Sequence, residues 1–178
     1  MRNRNNHGYS LVEVLIAIAI TGVVLLTIVT LFYMGRRNVY SGKQMTYAVS
    51  VGTRVMEDLS TMTSNDIITA FAITDTTATG TVTVNGTDYA SSLGRDTTNI
   101  DPVATDPGGY LAKWNGIVDP TKLTNGRVGL IITPHNPADA TAPWTTARFM
   151  RVRAYVQWDE AANRTRIAFF DTTKINRD

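Results

Sequence analysis

The apolar run from Val14 to Met34 constrains this chain more than any other feature: 21 residues, interrupted only by Thr21, Gly22, Thr27, Thr30 and Tyr33. As a helix the run measures about 30 Å, the thickness of one bilayer core. A short polar leader, Met1 to Gly8, precedes it and carries Arg2 and Arg4. A secretory signal is cut behind its apolar run, whereas here the small residue and the change from polar to apolar come in front. The hydrophobic segment is therefore expected to survive processing. Glu13 stands at the head of the run. An uncompensated carboxylate there costs roughly 2–3 kcal/mol even on a lenient insertion scale, so a pairing partner is expected.

The sequence Gly8-Tyr9-Ser10-Leu11-Val12-Glu13, set between a basic leader and a helix of bilayer length, resembles the processing site of the type IV pilin superfamily. The resemblance implies a cut between Gly8 and Tyr9 by a prepilin peptidase, methylation of the new amino terminus, and an assembly role for Glu13 as the fifth mature residue. It also implies other pilin subunits and an inner-membrane assembly platform as partners. Tyr9 replaces the usual phenylalanine but keeps an aromatic ring. The proline that major pilins carry further along the helix is missing, since the first proline is Pro102, so the pattern is closer to a minor pilin. Removing the leader takes 17 basic residues to 15 against 15 acidic ones, a balanced mature chain. The leader marks the cytoplasmic side, although Arg36 and Arg37 make the far flank positive as well.

Beyond the anchor, residues 35–62 contain no proline, and Ala48, Val51, Val55, Leu59 and Met62 recur at spacings of three, four, four and three. This is one face of an amphipathic helix, expected to bend at Gly35, Gly42 or Gly52 and to stop near Thr63-Ser64-Asn65-Asp66. The stripe reads as the core face under a sheet. Residues 63–178 are left for a globular domain with its own core, and without any cysteine no disulfide can staple it.

From Thr63 to Pro120 the composition is that of turns and long loops, with a small hairpin at Thr81–Val84, Asn85-Gly86 and Thr87–Tyr89. Arg127–Thr133, Met150–Trp158 and Arg164–Asp171 then alternate as three strands of an antiparallel meander, the last two joined by a hairpin at Asp159–Asn163. Val128, Leu130 and Ile132, then Met150, Val152, Ala154, Val156 and Trp158, then Ile167 and Phe169 are assigned to the apolar faces. The predicted class is α+β: a long N-terminal helix packed under a C-terminal antiparallel sheet. The closing hairpin is similar to that of minor pilins.

If those faces align, Arg151, Arg153, Arg164 and Arg166 share the outer side of two strands, in a region, 113–178, with ten basic and six acidic residues. Such a stripe either binds anions, such as DNA, an acidic polymer or an acidic subunit, or merely solubilises the sheet and protects its edges. No aromatic ladder interleaves the arginines, which leaves single-stranded nucleic acid unsupported. Asp96, Asp101 and Asp106 lack the tight alternation of a calcium loop and read as turn formers. The two histidines, His7 and His135, are far apart and no cysteine nucleophile or phosphate-binding glycine loop exists. No cofactor, no metal and no enzymatic activity are expected.

The expected organisation is a leader over 1–8, a transmembrane and assembly helix over 9–34, its amphipathic continuation over 35–62 and a periplasmic or extracellular domain over 63–178. The expected protein is a single-pass inner-membrane precursor that becomes a minor subunit of a type IV pilus. A minor pseudopilin of a type II secretion system shares every anchor feature, and a membrane-tethered binding module that never polymerises is the alternative from another class.

Overall fold

A computed structural model describes residues 10–74, 80–135, 149–160 and 164–175. Gly8, Tyr9, His7 and the turn at 161–163 lie outside the described residues. The chain divides into two compact units, Met1–Lys43 and Gln44–Asp178. Helix α1, Leu11–Thr61, contributes its first part to one and its last part to the other.

In the first unit the described chain is a single helical rod, and its apolar side chains from Leu11 to Met34 are exposed. It is long and apolar enough to cross a membrane. Its polar interruptions are dealt with locally. The hydroxyls of Thr21, Thr27 and Thr30 donate to the carbonyls of Ala17, Val23 and Leu26, four residues back, at 2.7, 2.9 and 2.9 Å. A hydroxyl paired with its own helix presents little unsatisfied polarity to lipid. α1 stays helical through Gly22, Gly35, Gly42 and Gly52.

In the second unit the end of α1 lies on one face of a four-stranded antiparallel sheet of order β3-β4-β5-β6. The strands are β3, Leu93–Asp96; β4, Thr124–His135; β5, Phe149–Glu160; and β6, Arg164–Ile175. The helical stripe is buried as expected, with Ala48, Val51, Val55 and Leu59 against Val128, Leu130 and Ile132 of β4 and Met150, Val152, Ala154, Val156 and Trp158 of β5. Gly52 sits on this stripe for a steric reason. A Cβ at Gly52 would come within 2.1 Å of the Phe170 ring of β6, so the glycine is what lets the edge strand close onto the helix.

The opposite face of the sheet carries a smaller cluster. Ile131 and Tyr155 are buried there with Val84, and Val82, Tyr89 and Ile167 pack around them. Val82 and Val84 belong to β1, Val82–Val84, and Tyr89 to β2, Thr87–Tyr89. Asn85 and Gly86 both take positive φ, 49° and 76°, the primed turn that the Asn-Gly pair favours.

Three elements inside the stretch read as loop are regular. Thr63 does not simply stop α1; it caps a second helix, α2, Ser64–Ala70. Its hydroxyl accepts from the Asp66 N–H at 3.2 Å, while the Asp66 carboxylate accepts from the Thr63 N–H at 2.8 Å. The Thr-x-x-Asp spacing of a capping box was the legible signal. Strand β3 joins the meander as a fourth strand, with Leu93 opposite Ile132. Helix α3, Tyr110–Ile117, follows a left-handed Gly109, and the buried Asp106 carboxylate accepts from the N–H groups of Leu111 and Ala112 at 3.0 and 2.9 Å.

Helix α3 is bound to α1 by polar contacts that range from part-buried to exposed. Asp58 accepts from Lys113 Nζ at 2.6 Å and from Trp114 Nε1 at 2.9 Å. Partial burial pushes the Asp58 carboxyl up, but the hydrogen bonds from Lys113 and Trp114 outweigh it and hold the group below its ordinary range. Tyr47 Oη donates to the Ile117 carbonyl at 2.8 Å and accepts from the Asp119 N–H at 3.1 Å.

Candidate functional site

Glu13 occupies the first turn of α1, beside the backbone N–H groups that a helix leaves unpaired at its start. A carboxylate there is favoured by the helix dipole, by about 0.3–1 kcal/mol. Val14, Ala17, Ile18, Thr21, Gly22 and Leu25 lie along one face of the helix with it. No lysine or arginine pairs with Glu13 among the described residues. The result is a carboxylate at the head of an exposed apolar rod, beside small residues that would let a second helix approach closely.

The arginine stripe requires a correction. In β6 the alternation is offset by one residue from its expected faces. Register pairs Val156 with Ala168 and Ala154 with Phe170, so Ala168 and Phe170 join the helix-side core. Ile167 and Phe169 instead lie opposite Gln157 and Tyr155, on the side covered by the β1–β2 hairpin. Arg151 and Arg153 lie on that side, opposite Thr173 and Asp171, whereas Arg164 and Arg166 lie opposite Glu160 and Trp158 on the other. The run Ile167-Ala168-Phe169-Phe170 is apolar on both faces, which is why its period misleads.

Nor are Arg151, Arg153 and Arg166 bare. Asp171, which the sequence did not single out, accepts from Arg153 Nε at 2.6 Å and from Arg151 Nη2 at 2.9 Å. The Arg153 guanidinium lies over the rings of Tyr89 and Phe169, at 5.5 and 5.2 Å from their centroids, tying the hairpin to the sheet. Arg166 Nε donates to Glu160 at 3.0 Å. Three of the four arginines thus form local ion pairs between neighbouring strands or strand ends.

The hydrogen bond from Arg153 is the main reason that the Asp171 carboxyl falls to about 2. A depressed carboxylate contributes stability that is fully present above the ordinary carboxylate range and is lost as pH falls through the folded value. Stability in urea is therefore expected to decline between about pH 4 and pH 2, and Asp171→Asn is expected to flatten part of that slope. The Asp171 side chain is 42% exposed, so solvent screening keeps its share small. A mutant slope identical to the parent's would show that the pair adds nothing.

The three wide-spaced aspartates each serve neighbouring backbone. Asp96 accepts from the N–H and hydroxyl of Thr98. Asp101 accepts from Val103 and Ala104 at 2.8 and 2.9 Å, and Asp106 starts α3. Among the described residues no group of three or more His, Cys, Asp and Glu is arranged to hold a metal.

A family described as the prokaryotic N-terminal methylation motif matches residues 3–29. Those residues carry the prepilin-type signature of type IV pilins, and the long helix against an antiparallel sheet is an arrangement like theirs. The match supports a prepilin-type N-terminus like that of pilins and pseudopilins, consistent with inner-membrane anchoring of a precursor. No curated protein and no solved structure matches it.

Proposed function

We propose that this chain is a minor subunit of a type IV pilus, inserted in the inner membrane, cut between Gly8 and Tyr9, N-methylated on Tyr9 and assembled into the filament through its helix. The observation that carries the reading is the methylation motif over residues 3–29, continued by an exposed apolar helix with a single carboxylate, Glu13, at its head. In this reading 1–8 is the leader, 9–34 the anchor and assembly helix, 35–62 its amphipathic continuation and 63–178 the domain displayed in the periplasm or on the surface.

The chemistry of assembly follows from the anchor. Cleavage frees an ammonium at Tyr9, which a neighbouring subunit's Glu13 neutralises in the filament core. Two unit charges at 4 Å attract by about 4 kcal/mol at an effective dielectric near 20, before desolvation is subtracted. The pair sets axial register, while the exposed apolar face leaves lipid for other helices of the same kind. Assembly is thus driven by packing and aligned by charge.

Mass spectrometry of the membrane-extracted chain tests this directly. The expected product begins at an N-methylated Tyr9 and reverts to the uncut mass in cells lacking the prepilin peptidase. An unchanged mass in both strains removes the proposal and leaves the tethered binding module. A processed chain that is absent from purified pili, and whose loss instead blocks protein secretion, assigns it to the type II secretion filament.

A further inference from the structure

The two edges of the main sheet are built differently. On one side β3 is four residues long, and Arg95 folds back from it to donate to the Phe71 carbonyl at 3.1 Å. On the other, β6 runs for 12 residues and pairs with β5 at every position from Arg164 to Ile175, with no register shift. It contains no proline or glycine, and its centre, Ile167-Ala168-Phe169-Phe170, carries no charge. Among the described residues no strand lies on its far side. A long, straight edge presents a row of unpaired N–H and C=O groups, which proteins ordinarily blunt with a bulge, a proline or a short strand. Here no bulge, proline or shortening is present, and the edge is guarded only by charged side chains, Arg164, Arg166, Asp171 and Lys174.

We infer that the free edge of β6 is a docking surface for an extended acidic strand of a different polypeptide chain, added antiparallel or parallel to the sheet. The side-chain pattern selects the partner. Arg164, Arg166 and Lys174 fall on one face of the strand, Arg166 beside Glu160 and Lys174 donating to the Ser60 carbonyl at 3.1 Å, and Ile167, Phe169, Asp171 and Ile175 fall on the other. Phe169 and Ile175 remain 39% and 56% exposed. A strand that alternates carboxylates with apolar residues matches both faces at once.

A second copy of this chain fits badly. Antiparallel pairing of two β6 edges by a twofold axis keeps like faces together, so even-numbered positions oppose even-numbered ones. The two longest such registers place Arg164 against Lys174, or Arg166 against Lys174, each twice by symmetry. Like charges directly opposite one another destabilise a strand pair. The charge pattern therefore works against self-pairing and in favour of an acidic partner.

The test uses the full chain in detergent micelles and a blocked peptide of alternating valine and glutamate, as long as β6, with its valine–lysine counterpart as control. The glutamate peptide is expected to bind at least tenfold more tightly, and Arg164→Glu with Lys174→Glu is expected to reverse the preference. Thr172→Pro and Thr173→Pro separate docking from folding, because neighbouring N–H groups on a strand point to opposite edges. One of the two breaks the β5 pairing and lowers the thermal midpoint. The other faces outward, and it is expected to keep the midpoint while weakening peptide binding at least tenfold. Binding unaffected by the outward proline overturns the proposal. So does equal affinity for the two peptides, or sedimentation in which the chain self-associates through this edge. None of these readouts depends on filament assembly.

Discussion

Glu13→Ala is expected to leave membrane insertion and cleavage intact and to reduce the amount of this subunit in sheared filaments by roughly thirtyfold. If desolvation takes back half of the charge attraction in the filament core, about 2 kcal/mol remains, and each 1.4 kcal/mol is a factor of ten. The comparison is the ratio of filament to membrane signal for the mutant and the parent, by quantitative immunoblot after shearing. Glu13→Asp keeps the charge on a shorter arm and should recover part of the incorporation, whereas Glu13→Gln should resemble alanine. Equal incorporation of alanine mutant and parent removes the proposed role of Glu13. The apolar rod around it would then be sufficient for assembly.

In the globular unit the heaviest loss is expected from Trp114→Ala, at about 3–5 kcal/mol, the range for emptying a buried aromatic site. Trp114 is fully buried, with the rings of Phe71 and Tyr110 at 5.7 and 6.1 Å from it. The same substitution removes the indole donor from Asp58 and leaves that carboxylate with Lys113 alone. Since a domain of this kind is stable by only about 5–15 kcal/mol, one residue of α3 holds a large share of the total. Trp114→Phe separates the two contributions: it keeps most of the ring and loses the donor, which is worth about 1–3 kcal/mol. Urea titrations of the two mutants and the parent measure both. A loss below about 1 kcal/mol for alanine would mean that the site collapses around the missing ring.

These two residues differ in how visible they are before folding. Glu13 stands out because a carboxylate beside 21 apolar residues is chemically incongruous wherever the chain is placed. Trp114 has no such contrast. It sits in Tyr110-Leu111-Ala112-Lys113-Trp114, between Pro-Gly-Gly and Asp-Pro, where turn residues dominate the local composition. Its helix begins because Asp106, several residues upstream, turns its carboxylate onto the first N–H groups. Its burial depends on Asp58, which comes from a helix 56 positions earlier.

The strands show the same division. In β4 and β5 the helix-side faces follow from the side chains, although Ile131 and Tyr155 are buried on the other face as well. β6 has four apolar residues in a row, and its face is chosen by the register that Gly52 and Phe170 allow. That choice separates Arg164 and Arg166 from Arg151 and Arg153, and it recruits Asp171 as the counterion of the latter pair.

What the amino-acid order settled about this protein is therefore whatever depends on a local contrast: the apolar rod and its lone carboxylate, the helical stripe beyond it, the Asn-Gly turn and the helix-side faces of β4 and β5. Folding in three dimensions settled whatever needs a distant partner: the register of β6, the ion pairs of Arg151, Arg153 and Arg166, the capping of α3 and the unpaired sheet edge. The physical reason is range. Hydrophobic periodicity is written within a few neighbouring residues, whereas an ion pair, a close helix–strand approach or a free edge exists only once segments far apart in the chain have met.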